Sequence, residues 1–472
     1  MIDRTLGQVA HATGGRLHGD PDRHIDAIAT DSRALPGGAA LFVALRGEHH
    51  DGHDHAAAAA RAGAAAVLAD RPLPDLAVPV IEVADTWRAL RDLARDVRRD
   101  IAPTAVAITG SVGKTTVKDL TAAAVGAGLR VHAARGSYNN EAGVPLTVLG
   151  LRHDTQVLIA EVGARRVGDI AHLAPIVAPN VAVVTAVRAV HLEIFGSIEA
   201  IGRAKAELVD ALEPGGIAVL NVADPAVAAM AGRAASVLRV GLDVADADVT
   251  ARDVRLDRLA RPRATALTPW GEVDLVLPLA GRHHVANALL ALGVAGHLGV
   301  DLAAAAAALA SAPLSPWRGE VTEIAGVTVL NDAYNSNPTA AIAALDTLAA
   351  IERTGRSIAV LGVMAEIGPT SDVDHGSVGA RCVDLGIDHV VVVGPGARGI
   401  ATGAREAGAG PDTIVEVPDA TAASAWLRDA VAAGDVVLVK ASRVAGLETV
   451  AAGLHGGTHG GGPHGDGPEA DR

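Results

Sequence analysis

Lys114 and Thr115 stand directly behind a glycine-flanked turn, Gly110-Ser111-Val112-Gly113, within the stretch TAVAITGSVGKTTVK at 104–118. Those residue types in that order suit the gripping of a phosphate. Glycines let backbone N–H groups face an anion, and a helix N-terminus behind them adds partial positive charge. In such a loop Lys114 neutralises β/γ-phosphate charge and the Thr115 hydroxyl binds Mg²⁺, with Thr116 completing the run. The longer spelling of this loop has a glycine five residues before Gly113, where this chain has Ile108. The loop is therefore the shorter G-x-x-G-K-T form.

A nucleoside triphosphate site also needs metal ligands and a hold on the second substrate. Glu161 ends an apolar run, Leu158–Val162, where a carboxylate is a natural metal ligand or, more plainly, a solvated strand end. His191 and Glu193 follow the next such run, His191 as a cation ligand or as a loop residue. Lys205 lies in a helix begun by Ser197 and reads locally as a surface lysine. Arg318 precedes the first strand of a later unit, placed to reach a γ-phosphate or to serve a linker. Ser32-Arg33, just before Pro36-Gly37-Gly38, fits a grip on a phosphate or a uracil edge, or an ordinary surface pair. The loop HHDGHDH at 49–55 invites a metal reading, but Gly52 breaks any shared helical face, so a solvated, ligand-contacting loop is the expectation.

The elements that must position these residues alternate along the chain. Thr104–Thr109 reads as a buried parallel strand, followed by a helix rich in Ala, Leu and Val. Strands recur at 156–162, 181–187, 217–221 and 237–241 with helices between them. That alternation predicts a doubly wound, mainly parallel sheet with ligands at its C-terminal strand ends. Residues 248–277 read as antiparallel β, and 283–298 as a helix. Three α/β domains are expected: a small one at 1–98, a central phosphate-loop domain at 99–314, and a Rossmann-like domain at 315–454. A Gly/His-rich tail at 455–472 reads as flexible.

Composition narrows the partners. With 40 Lys and Arg against 54 Asp and Glu, the net charge is −14, which argues against nucleic-acid binding. One cysteine, Cys382, excludes an internal disulfide. The N-terminus shows no apolar signal region, and runs such as 302–310 are too short to span a membrane. A cytoplasmic monomer without membrane insertion is expected.

Taken together, the motifs resemble the Mur ligases, the ATP-dependent amide-forming family of peptidoglycan precursor synthesis. The carrying segments are TDSR at 30–33, TGSVGKTTVK at 109–118, YNNEAGVPLTVL at 138–149 and EVGARRVGDI at 161–170. They continue with VHLEIFGSIEAIGRAKAEL at 190–208, GRHHVANAL at 281–289, NDAYNSNP at 331–338, VLGVMAEIG at 360–368 and VLVKASR at 437–443. The Asn pair with Gly-Val-Pro, and Tyr-Asn-x-Asn-Pro, point within the family to the member that adds D-Ala-D-Ala to UDP-MurNAc-tripeptide. The Asp-Asn-Pro-Arg segment expected of a diaminopimelate-adding relative is missing from the sequence.

The resemblance implies roles. Lys114 and Thr115 would hold ATP phosphates and Mg²⁺, with Glu161 and His191 as metal ligands. Asn140 would sit near the phosphates and Asn287 against adenine, while Arg318 and Asp332 would reach ATP from the third domain. Ser32 and Arg33 would meet the uridine nucleotide. Tyr334, Asn335, Asn337, Lys440, Ser442 and Arg443 would face the acceptor cleft. Lys205 matches a lysine that the family carbamylates; an amine beside a cation loses its proton more readily and can take up CO₂.

Departures from the family pattern stand at Arg188, Ile194, His284, Val363 and Ala441. They bear on loop shape and adenine-side packing. Competing readings are another Mur-type ligase such as a folylpolyglutamate synthase, a GTPase-like switch, and a non-catalytic nucleotide-binding module. No Asn-Lys pair occurs for guanine reading.

Overall fold

The computed structural model describes residues 3–454. The expected flexible tail at 455–472 lies outside the described residues. The architecture is α/β throughout, built on three larger sheets and two small ones.

The central sheet has six strands, all parallel, in the order Val237–Val240, Ile217–Asn221, Val181–Val184, Thr104–Thr109, Val157–Glu161, Val131–Ala133. The phosphate-loop strand thus lies inside the sheet, with its last five residues buried. Its Val/Ile/Ala composition suits burial on both faces. Parallel register brings Ile108 beside Glu161, and Thr109 beside Val184. The loops after the three middle strands therefore open on one edge, which is why Gly110–Gly113, Glu161 and the 185–191 segment meet. The antiparallel stretch is a three-stranded sheet, Thr250–Leu256, Pro262–Thr268 and Gly271–Val276. Helix His284–His297 is buried along most of its length and packs on the helix Lys114–Gly126.

The C-terminal sheet also has six strands, in the order Glu320–Ile324, Val327–Asp332, Val436–Lys440, Ser357–Leu361, His389–Val393, Ile414–Val417. Only its first pair is antiparallel. Strand Ile414–Val417 and helix Arg398–Glu406 add to the elements read from the sequence.

The N-terminal sheet has five strands, with Ala27–Ala29 and Ala40–Val43 side by side in parallel. Helix Thr86–Ile101 joins this unit to the central sheet. Asp85 caps it by accepting from the Arg88 N–H, and Leu90, Leu93, Ala94 and Val97 form its buried stripe. Each buried Leu or Val there contributes about 1.5–3 kcal/mol. The Arg98 side chain donates to the carbonyls of Val177 and Ala178 at 2.7 and 3.2 Å. Residue 98 falls inside this helix, and one continuous core runs from Leu6 and Leu41 through Leu90 to Val144 and Leu158.

Candidate active site

The phosphate loop has the geometry its sequence requires. Gly110 has φ of 147° and Gly113, which caps the following helix, has φ of 81°. A Cβ on Gly110 would lie 1.9 Å from Thr185 Oγ1, so no other residue fits that close approach. The Thr185 hydroxyl in turn donates to the Val112 carbonyl at 2.5 Å. Ser111 Oγ donates to the Arg188 carbonyl at 3.0 Å and accepts the Arg188 N–H at 2.9 Å. The guanidinium of Arg188, one of the departures, is paired with Asp224. The loop is thereby laced to the 185–188 segment on its flank.

Lys114 Nζ lies across its own loop and donates to the Gly110 carbonyl at 2.8 Å. Burial lowers its pKa, Glu161 opposes that fall, and the like charge of Arg318 adds to it. Arg318 belongs to the loop before the strand Glu320–Ile324, so a cation of the C-terminal segment comes close enough for its charge to act on Lys114. The Arg318 guanidinium stacks on the Tyr334 ring at 3.9 Å.

Beside the lysine lies a set of hard oxygen donors. Thr115 Oγ1 donates to Glu161 Oε2 at 2.8 Å, and Asn139 Nδ2 donates to Glu161 Oε1 at 2.6 Å. Glu161 is almost fully buried. His191 Nδ1 pairs with the Glu366 carboxylate, and Arg165 reaches the same carboxylate at 3.3 Å. That partner orients the imidazole and leaves Nε2 as the ring atom to face a cation. Among the described residues, no three His, Cys, Asp or Glu side chains converge into a ready-made metal cage. The donor set is what Mg²⁺ takes, since that ion fills most of its shell with water and substrate phosphate.

Lys205 is buried, with its ammonium 5.8 Å from the centre of the Phe195 ring. Burial, helped by the charge of Lys114, lowers its pKa to about 7. A surface lysine is therefore not what the structure holds there. An amine that is half neutral near pH 7 can act as a nucleophile toward CO₂.

At several expected positions the structure shows how each side chain is engaged. Asn140, expected near the phosphates, is exposed, and its Oδ1 accepts the Gly143 N–H at 2.8 Å. Its neighbour Asn139 is the one that turns toward Glu161. Lys440, Ser442 and Asn337 are buried rather than open to a cleft. Lys440 Nζ donates to Asp332 Oδ2 at 2.6 Å and to the Asn335 carbonyl at 2.9 Å. Ser442 Oγ donates to the Ser336 carbonyl at 3.2 Å and accepts the Ala365 N–H at 2.9 Å. Asn337 caps the helix Pro338–Ala350. The polar atoms of these three side chains are spent on backbone groups and on Asp332. Asn335 is exposed, and Arg443 stacks on Trp317 at 4.4 Å.

Asn287 borders the phosphate loop, its Oδ1 3.0 Å from where a Gly113 Cβ would stand. Its Nδ2 faces His284 Nδ1 at 3.2 Å. His284, another departure, is buried, and burial pushes its pKa well below the usual histidine value. At the far sheet, Arg33 forms a two-point pair with Asp31, at 3.0 Å from Nε and 2.8 Å from Nη2, next to Ser32. The guanidinium hydrogen bond holds the Asp31 carboxyl below its ordinary value. The HHDGHDH loop is not simply solvated. His53 is buried, donating from Nδ1 to Asp51 and accepting the Asp70 N–H at 3.1 Å on Nε2. Sequence reasoning missed Asn139, Glu366 and Thr185. An adjacent Asn pair carries no sign of which member faces inward, and Glu366 arrives from a distant sheet.

Three family descriptions match the chain in succession: "Mur ligase family, catalytic domain" over residues 24–98, "Mur ligase middle domain" over 108–295, and "Mur ligase, glutamate ligase domain" over 317–443. The UDP-N-acetylmuramoyl-tripeptide–D-alanyl-D-alanine ligase of Mycobacterium tuberculosis is 44% identical, covering 96% of this chain and 98% of that protein. A crystal structure of MurF from Acinetobacter baumannii superposes with a TM-score of 0.87 at 30% identity, covering 96% of this chain and 99% of that one. MurF from Thermotoga maritima, solved with ADP, gives a TM-score of 0.79 at 30% identity over 91% of this chain and 97% of that one.

Proposed function

The chain belongs to the Mur ligase family, and from that premise we propose that it joins D-alanyl-D-alanine to the terminal carboxylate of UDP-MurNAc-tripeptide, using ATP and Mg²⁺. The observation that carries this reading is the Thr115–Glu161–Asn139 cluster beside the phosphate-loop Lys114, with Arg318 of the C-terminal segment near enough for its charge to act on that lysine. A cradle that delivers a phosphoryl group needs cations around its outer phosphate, and here the second cation arrives only with the C-terminal sheet.

The terminal carboxylate of the tripeptide attacks the γ-phosphorus, forming an acyl phosphate and releasing ADP. Lys114 and Arg318 neutralise the charge that spreads over the transferring group. The neutral amine of D-Ala-D-Ala then attacks the acyl carbon. Collapse of the tetrahedral intermediate expels phosphate, and the nitrogen gives up its proton as the amide forms. Closure of the C-terminal sheet over the central one excludes water from the acyl phosphate. Thr115, Glu161, His191 and a carbamylated Lys205 would hold Mg²⁺, which supplies charge neutralisation at the phosphates. Asn287 and Asp332 would contact ATP, and Ser32 and Arg33 the uridine nucleotide. In this reading the chain divides into domains at 1–98, 99–314 and 315–454 and works as a cytoplasmic monomer. Among the described residues no helix is long and apolar enough to cross a membrane.

The test is ADP release by the purified chain with UDP-muramoyl tripeptide, with and without D-Ala-D-Ala. Release matched by pentapeptide formation, and dependent on both substrates, is expected. Turnover with folates and glutamate in place of these substrates would overturn the reading.

A further inference from the structure

Arg318 lies outside the central sheet, near enough for its charge to act on Lys114 of the phosphate loop, yet among the described residues no side-chain acceptor fixes its direction. Its Nε is buried without a hydrogen-bond partner among the described residues. What holds it is the ring of Tyr334, stacked at 3.9 Å. The Tyr334 N–H donates to the Trp317 carbonyl at 3.2 Å, so ring and guanidinium are also tied through the backbone. The Tyr334 hydroxyl, on the far side of the ring, is hydrogen-bonded to Ser137 Oγ.

Ser137 lies in a segment of the central unit that is pinned on both sides. Lys118, buried on the phosphate-loop helix, donates to the carbonyls of Ala134 and Gly136 at 2.8 Å each. Two residues beyond Ser137, Asn139 donates to Glu161 at 2.6 Å. The hydroxyl of Ser137 is therefore a fixed point relative to both the phosphate loop and the metal-side carboxylate. A tyrosine that docks there brings its stacked arginine to a set place.

We propose that Ser137 is a positioning residue for the phosphoryl-transfer step: by binding the Tyr334 hydroxyl it sets the ring against which Arg318 aligns on the phosphate loop. Ser137 touches no reacting atom. It acts through Tyr334, and it couples arrival of the C-terminal sheet to completion of the cationic site. The inference rests on the ligase reading for the identity of the transferred group, but the coupling itself is a property of the three side chains.

Ser137→Ala and Tyr334→Phe each remove one end of the hydrogen bond and keep the ring. In the full chain, each is expected to lower kcat about tenfold, the value of one lost hydrogen bond, with KM for the UDP-substrate unchanged. The double variant should be no slower than either single one, because both delete the same contact. Tyr334→Leu, which also removes the stack, should lose at least about tenfold more. Additive losses in the double variant, or full kcat in either single variant, would overturn the proposal. The same cycle read by calorimetry with a non-hydrolysable ATP analogue needs no turnover. Non-additive weakening there, in a chain that made no pentapeptide, would sustain the relay and sink the ligase reading. Independent effects there would sink the relay whatever the chain ligates.

Discussion

Lys205 in the central unit and Lys440 in the C-terminal one are equally hidden, at 2% and 1% exposed. Their surroundings differ completely. Lys440 is met by the Asp332 carboxylate at 2.6 Å and by the Asn335 carbonyl at 2.9 Å, so its charge is answered where it sits. Lys205 faces the Phe195 ring and the like charge of Lys114, and its pKa falls to about 7. Burial alone therefore does not mark a lysine as chemical or structural; the partner does. A paired ammonium is a strut. An unpaired one sheds its proton and becomes available as an amine. Both sheets are mainly parallel and six-stranded, but at the end of Thr104–Thr109 stands a glycine loop shaped for an anion, whereas the last residue of Val436–Lys440 is a lysine paired with Asp332.

The contrast can be broken at either end. Lys114→Ala should give the largest effect, a loss of turnover of about a thousandfold or more with the fold intact, since the main cation at the transferring phosphate is gone. Pentapeptide formation at near-normal rate, alongside an unchanged circular dichroism spectrum, would remove the phosphate-loop role. Lys205→Ala should cost about a hundredfold in activity and little stability, because an unpaired buried amine is being deleted. Short-chain carboxylates added to that variant should restore part of the rate. Full activity without Lys205 would end the carbamate assignment.

Lys440→Met should do the reverse. Stripping one partner from a buried pair costs about 3 kcal/mol, read by urea unfolding, while the molecules that stay folded lose less rate, through the freed Asp332, than Lys205→Ala does. A stability close to that of the parent chain would mean that Lys440 is no strut. The smallest effect concerns Cys382, a third buried ionisable group, whose thiol is pushed up to about 12 by burial. Its unfolded value is near 9.0, so the unfolded chain ionises first. The stability that Cys382 confers is whole below pH 9 and is lost as pH rises from about 9 toward 12. The slope is at most about 1.4 kcal/mol per pH unit. Unfolding curves of the parent and of Cys382→Ala should converge over that range. A parallel pair of curves would contradict the assignment.

The local parts of the site were readable because each has a one-dimensional cause. Thr104–Thr109 is apolar on both faces and so must be an inner strand. Gly110 and Gly113 are glycines because the backbone there takes positive φ, and Gly110 also because Thr185 leaves no room. Lys114 and Thr115 follow as the first turn of a helix. The alternation of such units determined the doubly wound sheets, and the family motifs named the chemistry. What the sequence left open was direction. Asn139 and Asn140 are the same residue type side by side, and only the fold turned the first toward Glu161 and the second outward. Lys205 and Lys440 both read as site lysines, and only packing gave one an acid and the other a ring. Glu366 met His191, and Ser137 met Tyr334, across 175 and 197 positions of chain. Contacts at that separation depend on how whole sheets dock, and docking is set by summed burial over large surfaces rather than by any local run of residues.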